Sequence, residues 1–157
     1  MNIRPLRRED KEPIYDLLRA TDVFSEEEIS VAIELIQICL EDENQKDYEI
    51  FSYVNNEERV TGYVCFGPTP ATQGTYDLYW VAVAPSEHGK GIGSELIQFA
   101  EDHIRAKGGR FVIAETSSTP KYEKTRAFYE RKGFTKVAHV KEYYRPGDDL
   151  IIFGKYL

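Results

Sequence analysis

Hydrophobic positions along the chain follow a two-residue period in some segments and a 3.6-residue period in others, which predicts strands and helices in a mixed order. The strand period marks residues 3–6, 48–54, 60–66, 78–84, 111–114, 134–144 and 150–156. The helical period marks segments that follow a cap at Asp10, a capping box at Ser25 and Glu28, Gly93 and Pro120. The predicted fold class is therefore α/β, with a mixed sheet flanked by about four helices.

The region around the fourth predicted strand is the most informative part of this pattern. Residues 78–84 form an apolar run that stops at Pro85, and after Gly93 one helix face carries Leu96, Ile97, Ala100 and Ile104. The short polar loop between them contains His88, Gly89, Lys90 and Gly91. A glycine-rich turn from a strand into a helix directs backbone N–H groups and the positive helix end to one place. The pattern predicts an anion site that suits phosphate oxygens.

Charge narrows the possible partners. The formal net charge of −7 argues against a general nucleic-acid binder, which usually presents a basic face. Residues 1–60 contain 16 acidic and 7 basic side chains, whereas the rest of the chain is slightly basic. An acidic front half could attract a cationic substrate while the rear half accepts a polyanionic cofactor, and a solvated acidic surface is an equally good explanation for many of these carboxylates.

Length and apolar content indicate how many domains the chain forms and whether it associates with a membrane. With 157 residues, 41% of them hydrophobic, the chain is expected to form a single domain over residues 1–157. No apolar run approaches the roughly 20 residues of a membrane span, and the first residues lack a signal-peptide pattern, so we expect no membrane association and a cytoplasmic location. Cys39 and Cys65 are predicted to be small buried side chains, and the spacing of His, Cys and carboxylates predicts no metal site.

Two motifs connect this organisation to a known family. The first consists of residues 81–85 (VAVAP) followed by residues 88–93 (HGKGIG), and the second is residues 125–134 (TRAFYERKGF). Together with the element order, they resemble the GNAT superfamily of acyl-CoA-dependent N-acyltransferases over nearly the whole chain. His88 stands where the family more often has Gln or Arg. The resemblance implies a GNAT-like fold and an acetyltransferase activity.

The resemblance also implies acetyl-CoA as co-substrate, without a metal. In this family the backbone N–H groups of the loop hold the cofactor pyrophosphate, and the backbone of the central strand binds the pantetheine arm and polarises the thioester carbonyl. Lys90 would add a positive charge. The cofactor-binding residues that the resemblance implies are Val81, Val83, His88, Gly89, Lys90, Gly91, Ile92, Gly93 and Ser94.

The attacking amine must be neutral, which makes a general base useful. A lysine-like amine is neutral about once in 2,500 molecules at pH 7, whereas an α-amine is neutral roughly once in seven. Glu115 matches the position of the base in some GNAT members, and Asp77 and Tyr79 are alternatives near the start of the central strand. The resemblance implies that Tyr129 faces the sulfur and protonates the departing CoA thiolate, while an aromatic core role for Tyr129 stays open.

The acyl acceptor stays open at this stage. Tyr143 and Tyr144, with Asp148 and Asp149 in the same closing loop, could frame a cationic amine or form an ordinary exposed turn. We expect direct attack by a primary amine of a small molecule, because no Ser lies in a nucleophile-elbow pattern, although Cys65 is not excluded as a nucleophile. The alternatives are a protein N-terminal or lysine acetyltransferase acting on a peptide amine, and a non-catalytic acyl-CoA-binding sensor. The family also implies a possible homodimer.

Overall fold

A computed structural model describes residues 2–157, which form seven strands and four α-helices. The strands are β1 (Ile3–Pro5), β2 (Glu49–Val54), β3 (Val60–Pro68), β4 (Thr75–Val83), β5 (Phe111–Ser117), β6 (Thr135–Arg145) and β7 (Asp148–Tyr156). The helices are α1 (Lys11–Ala20), α2 (Glu26–Glu41), α3 (Ile92–Ala106) and α4 (Glu123–Arg131). The predicted element order is confirmed. No helix within residues 2–157 combines the length and apolar character needed to cross a membrane.

The strands form one mixed sheet in the order β1-β2-β3-β4-β5-β7-β6. β2 pairs antiparallel with both β1 and β3, and β7 pairs antiparallel with both β5 and β6. β4 and β5 pair in parallel. A parallel pair needs a long crossover, which α3 supplies. The parallel register runs from Thr75 opposite Phe111 to Asp77 opposite Ile113, while β4 itself continues to Val83. The predicted mixed α/β architecture is confirmed.

The chain divides into two compact units, and the first comprises the residues up to Gly67 together with Trp80–Ala100. Its core is formed by apolar side chains of α1, α2 and the strands: Ile14, Leu17, Leu18, Ile29, Ala32, Ile36, Ile50, Tyr63, Cys65 and Ala82. The predicted capping box begins α2, because Ser25 Oγ accepts from the Glu28 N–H and Glu28 Oε1 accepts from the Ser25 N–H, both at 3.1 Å. The predicted apolar face of α3 is buried as well.

Asp10 does not have the capping role that the sequence predicts. It precedes α1, but its side chain makes no cap hydrogen bond to that helix. The carboxylate is 1% exposed and accepts from Arg4 at 2.7 and 2.9 Å, from the Arg7 N–H at 2.9 Å and from Ser52 Oγ at 2.9 Å. Burial alone would raise the pKa of Asp10, but these hydrogen bonds outweigh burial and lower it. The carboxylate therefore joins β1, β2 and the start of α1.

The second unit comprises Pro68–Tyr79 and Glu101–Leu157. Its buried residues lie on β5, β7 and α4: Val112, Ala114, Thr116, Tyr129, Ile151 and Phe153. Lys155 Nζ donates to the buried Glu101 carboxylate at 2.8 Å and to the Lys132 carbonyl at 2.9 Å, just after α4 ends. This lysine therefore links β7 to α3 and to the end of α4.

Candidate functional site

The connection between β4 and α3 is a tight turn with two glycines in the left-handed conformation. After Val83 the chain makes a short 3-10 turn at Pro85–Glu87 and then passes through Gly89 and Gly91, each with φ of +81°. L side chains rarely adopt such a φ, which explains the need for glycine. A Cβ added at either position would meet no atom within 4 Å, so the space beside both residues is open.

Backbone N–H groups at the start of α3 have no acceptor within the helix. The first hydrogen bond of α3 joins the Glu95 N–H to the Gly91 carbonyl at 3.0 Å, which leaves the N–H groups of Ile92, Gly93 and Ser94 without an intrahelical partner. The His88 N–H instead donates to the Pro85 carbonyl at 3.2 Å, so it is already engaged, unlike its predicted partnership with a phosphate. The open space and the unpaired N–H groups fit a diphosphate.

Two side chains fold back onto this turn. Lys90 Nζ lies 2.7 Å from Glu87 Oε2, so the charge predicted for an anion is paired within the loop. His88 Nε2 lies 2.9 Å from the Val83 carbonyl oxygen. Because a carbonyl oxygen only accepts, the imidazole nitrogen must be the donor in this contact. The Val83 carbonyl is therefore bonded by the loop, whereas the sequence predicted the Val81 and Val83 backbone only as ligands of pantetheine.

Tyr129 lies on α4 inside an aromatic cluster. Its ring centroid is 5.3 Å from that of Phe134 and 6.0 Å from that of Phe153, and the residue is 5% exposed. Burial raises the pKa of Tyr129 well above its ordinary value, so the phenol stays protonated at neutral pH. Its hydroxyl has no hydrogen-bond partner among residues 2–157. The ring is thus fixed as a core residue while the hydroxyl is free to donate.

Two of the predicted acid–base candidates lie together with Glu115 in the second unit. Asp77 Oδ2 accepts from Thr69 Oγ1 at 2.8 Å and from the Tyr79 hydroxyl at 3.4 Å. Partial desolvation, and then the negative charge of Asp77, raise the pKa of Glu115. Glu115 lies within β5, two residues before its end, and not at the strand terminus as predicted. A carboxylate with a raised pKa is a stronger base than an ordinary glutamate.

The hairpin between β6 and β7 presents the predicted tyrosine pair. Tyr143 and Tyr144 are 57% and 41% exposed, and their rings meet edge to face at 5.0 Å. The β6–β7 register shifts between Val140 and Arg145, and Glu142 within this bulge has φ of +52°. The carboxylate of Asp149 holds the bulge in place.

The sequence predicts Asp149 either as part of a frame for a cationic amine or as part of an exposed turn, and in the structure its carboxylate fixes the hairpin. Its carboxylate accepts from the Glu142 N–H at 2.8 Å and lies 2.7 Å from His139 Nε2. These two contacts lower the pKa of Asp149, the Glu142 N–H having the larger effect. Sequence reasoning also missed Thr69, the hydroxyl partner of Asp77. The only signal for either residue was its place in a loop rich in turn-forming residues.

The two thiols are unsuited to an acyl-enzyme. Both cysteines are free, and Cys65 is 0% exposed. Burial raises the pKa of Cys65 far above its ordinary value and the pKa of Cys39 to about 11, so neither is a thiolate at neutral pH. Within the described part of the chain, no group of three or more His, Cys, Asp or Glu is arranged to hold a metal ion.

A broad open cleft of about 1280 Å³ lies in the first unit, beside the turn, and Lys90 and Ile92 are on its rim. Its other walls come from β1, α1 and the β2–β3 turn. Three of its cations already face carboxylates within the chain: Arg4 with Asp10 at 2.7 Å, Arg59 with Glu57 at 2.8 Å, and Lys90 with Glu87 at 2.7 Å. Because these cations are paired, the cleft is a weak candidate for an anion site. The glycine turn is the better candidate.

Comparisons with known proteins agree with this geometry. A model of the acetyltransferase (GNAT) family matches residues 11–134. A structure assigned to the GNAT family of acetyltransferases, from Desulfovibrio desulfuricans, is 40% identical and superimposes with a TM-score of 0.91, over 98% of this chain and 97% of that chain. The comparison with curated proteins found no match.

Two more distant structures share the fold. An aminoglycoside 6'-N-acetyltransferase complexed with coenzyme A is 20% identical, with a TM-score of 0.76 over 99% of this chain and 97% of that chain. A ribosomal-protein alanine N-acetyltransferase from Escherichia coli is 19% identical, with a TM-score of 0.73 over 98% of this chain and 92% of that chain. Because the family match spans most of the sequence and a 40% identical GNAT structure covers nearly all of it, the chain belongs to the GNAT family of acetyltransferases and is an acyltransferase.

Proposed function

We propose that this enzyme transfers an acetyl group from acetyl-CoA to a primary amine of a small molecule by direct attack of the amine on the thioester. The observation that carries the proposal is the turn between β4 and α3, with its two left-handed glycines and the N–H groups of Ile92, Gly93 and Ser94 that have no acceptor within the helix. This turn suits the diphosphate of coenzyme A. The aminoglycoside acetyltransferase that shares the fold was crystallised with coenzyme A, which supports the choice of ligand.

The proposed cofactor contacts are mainly from the backbone. The N–H groups from Gly89 to Ser94 hold the diphosphate, and Lys90 can exchange Glu87 for a phosphate oxygen. The backbone of Val81 and Val83 binds the pantetheine arm and polarises the thioester carbonyl. Loss of one such donor typically costs about 3 kcal/mol of transition-state stabilisation.

Glu115 and Tyr129 are the proposed acid–base pair. As the nitrogen–carbon bond forms and the carbon–sulfur bond breaks, Glu115 accepts the proton from the amine. The Tyr129 hydroxyl donates a hydrogen bond to the departing thiolate, which stabilises the negative charge on the sulfur as the carbon–sulfur bond breaks. The raised pKa of Glu115 and the unpartnered hydroxyl of Tyr129 support these roles. The inaccessible thiol of Cys65 supports direct transfer without an acyl-enzyme.

The proposed acceptor is a cationic small amine. Asp77, hydrogen-bonded to Thr69 and Tyr79, adds negative charge near Glu115, which suits an ammonium group before it loses its proton. A second candidate is a peptide amine, as in protein N-terminal or lysine acetylation. The exposed Tyr143 and Tyr144 pair favours this alternative, because aromatic residues at an open surface are common in sites that bind proteins.

The proposal is tested in two steps. Calorimetric titration with acetyl-CoA should show one binding site, and a thiol-release assay should then detect CoA production with a panel of small amines, N-terminal peptides and lysine peptides. Turnover with small amines that exceeds turnover with peptides supports the proposal, and the reverse order supports the peptide alternative. Binding without thiol release from any acceptor would indicate an acyl-CoA sensor. A folded protein that does not bind acetyl-CoA would contradict all three.

A further inference from the structure

We infer that the side chain of His88 is a positioning residue that holds the diphosphate turn in its binding shape. The inference rests on the acetyl-CoA site proposed above and extends it from the backbone to one side chain. His88 Nε2 is 2.9 Å from the carbonyl oxygen of Val83, five residues earlier in the chain. This contact closes a loop from the end of β4 across the 3-10 turn to the first glycine.

The turn has few other contacts that could fix its shape. Residues 88–91 are exposed, and nothing lies within 4 Å of the Cβ positions of Gly89 and Gly91. Backbone hydrogen bonds join Glu87 to Ala84 at 2.9 Å and His88 to Pro85 at 3.2 Å, and the next begins at Glu95. The pair between Lys90 and Glu87 has a lysine side chain that is 61% exposed, and such surface pairs contribute little.

The hydrogen bond from His88 helps to fix the peptide group between Val83 and Ala84, which is also bonded through its N–H. The Ala84 N–H, which belongs to the same peptide as the Val83 carbonyl, donates to the Thr61 carbonyl at 2.8 Å. His88 and Thr61 therefore hold the two polar ends of this peptide, and its plane cannot rotate without breaking a hydrogen bond. Because Val83 is the last residue of β4, the contact connects the strand to the loop.

The chemistry of the contact identifies a suitable replacement. The carbonyl needs a donor, which both the Nε2–H tautomer of the neutral ring and the imidazolium supply, so protonation of His88 does not remove the hydrogen bond. The amide of glutamine donates in the same way, whereas alanine leaves the carbonyl without this partner. A turn that is ordered before the ligand arrives binds more tightly, because less ordering occurs on binding.

The test compares the affinities of four proteins for free coenzyme A by calorimetry: wild type, His88→Ala, His88→Gln and the control His103→Ala on α3. We expect the His88→Ala dissociation constant to be about five-fold higher, the effect of one ordinary hydrogen bond. His88→Gln and His103→Ala should remain within about two-fold of wild type on the same scale. In the thiol-release assay, His88→Ala should raise KM for acetyl-CoA and leave kcat within about two-fold, since only positioning is lost.

Several outcomes would overturn the inference. Equal affinities of wild type and His88→Ala would reject it alone, provided that circular dichroism shows both proteins folded. A His88→Gln affinity as weak as that of His88→Ala would also reject it, because a donor at this position would then be insufficient. A wild type that binds no coenzyme A would reject the proposed acetyl-CoA site and this inference with it, so the two failures are distinguishable.

Discussion

At the scale of single residues, Tyr129 combines a buried ring in the core with the hydroxyl that we propose as a donor to the sulfur. Its ring is held between Phe134 and Phe153, while its hydroxyl has no partner among residues 2–157. The pKa of Tyr129 is raised by burial, above the value of about 8.5 that is usual for a thiol. Complete proton transfer to a thiolate is therefore uphill, and a large part of the effect should be a charge-assisted hydrogen bond to the sulfur.

Tyr129→Phe should lower kcat by about 10- to 100-fold, the range expected for one hydrogen bond to a charged group. The melting temperature should change little, because the substitution keeps the ring and removes an unpartnered hydroxyl. Steady-state kinetics with acetyl-CoA and the best amine, next to the surface control Tyr156→Phe, would measure this. Unchanged turnover of Tyr129→Phe would leave the residue with a core role alone.

Glu115→Gln should lower kcat/KM by about 100-fold with an alkylamine acceptor, because the substitution removes the proposed general base. The base acts when deprotonated, so wild-type activity rises with pH through the pKa of Glu115, which lies above its ordinary value. The variant should lose this limb of the pH–rate profile. Glu130→Gln, at an exposed position on α4, is the matched control.

Asp77→Asn separates the two carboxylates. Removing the charge of Asp77 removes the repulsion that helps to raise the pKa of Glu115, so the rising limb should move to lower pH. If Asp77 itself were the base, Asp77→Asn would abolish the rising limb of the pH–rate profile, and Glu115→Gln would retain it. The two profiles together identify the base.

At the scale of elements, a buried carboxylate controls the junction of β1, β2 and α1. The folded-state pKa of Asp10 is lowered, so its contribution to stability is present above the unfolded value near 3.9 and is lost as pH falls through the folded value. Asp10→Asn should reduce the free energy of unfolding at pH 7 by about 3 kcal/mol, because Arg4 loses its charged partner. Urea unfolding at pH 7 and pH 3 would test this.

The difference between wild type and Asp10→Asn should shrink at pH 3, because this pH lies below the unfolded-state pKa of about 3.9 and part of the stabilisation is lost there. Asp16→Asn, at an exposed position on α1, serves as the control and should unfold like wild type at both values. A difference that stayed constant between pH 7 and pH 3 would show that packing of the side chain, and not its charge, stabilises this junction.

These elements also show what local sequence could and could not predict. The capping box of Ser25 and Glu28 was predictable because both partners lie within four residues. Asp10 was assigned wrongly because its partners Arg4 and Ser52 come from two strands, and Ser52 lies 42 residues away. Likewise, the sequence predicts that β5 ends at residue 114, which is too early. Pairing with β7 extends the strand to Ser117, opposite Leu150.

At the scale of the whole molecule, the element sequence and family were predictable, but the strand order was not. The sequence shows β6 and β7 as an antiparallel pair without saying which of them adjoins β5. In the structure β7 lies between β5 and β6, and every residue of β6 is exposed. The continuous apolar run from Leu150 to Phe153 is typical of an inner strand, and the charged β6 is typical of an edge.

In the candidate site, too, local features were predictable from the sequence and long-range contacts were not. The glycine turn was visible in the sequence because its requirements are local: positive φ and an adjoining helix start. The neighbours of Glu115 and the link from His88 to Val83 depend on a folded backbone, and no pattern of residue types records them. Identifying the acceptor requires a measurement of binding or turnover.

The pairing of Lys90 with Glu87 also bears on how quickly coenzyme A, the proposed ligand, would reach the turn. A neutralised lysine exerts little pull at a distance, and the protein as a whole carries −7, the same sign as coenzyme A. Long-range forces thus oppose the encounter with the proposed ligand, which we expect to be captured only after diffusion brings it to the turn. Raising the ionic strength should therefore screen that repulsion and not slow association, the opposite of an enzyme that steers its substrate with a cationic surface.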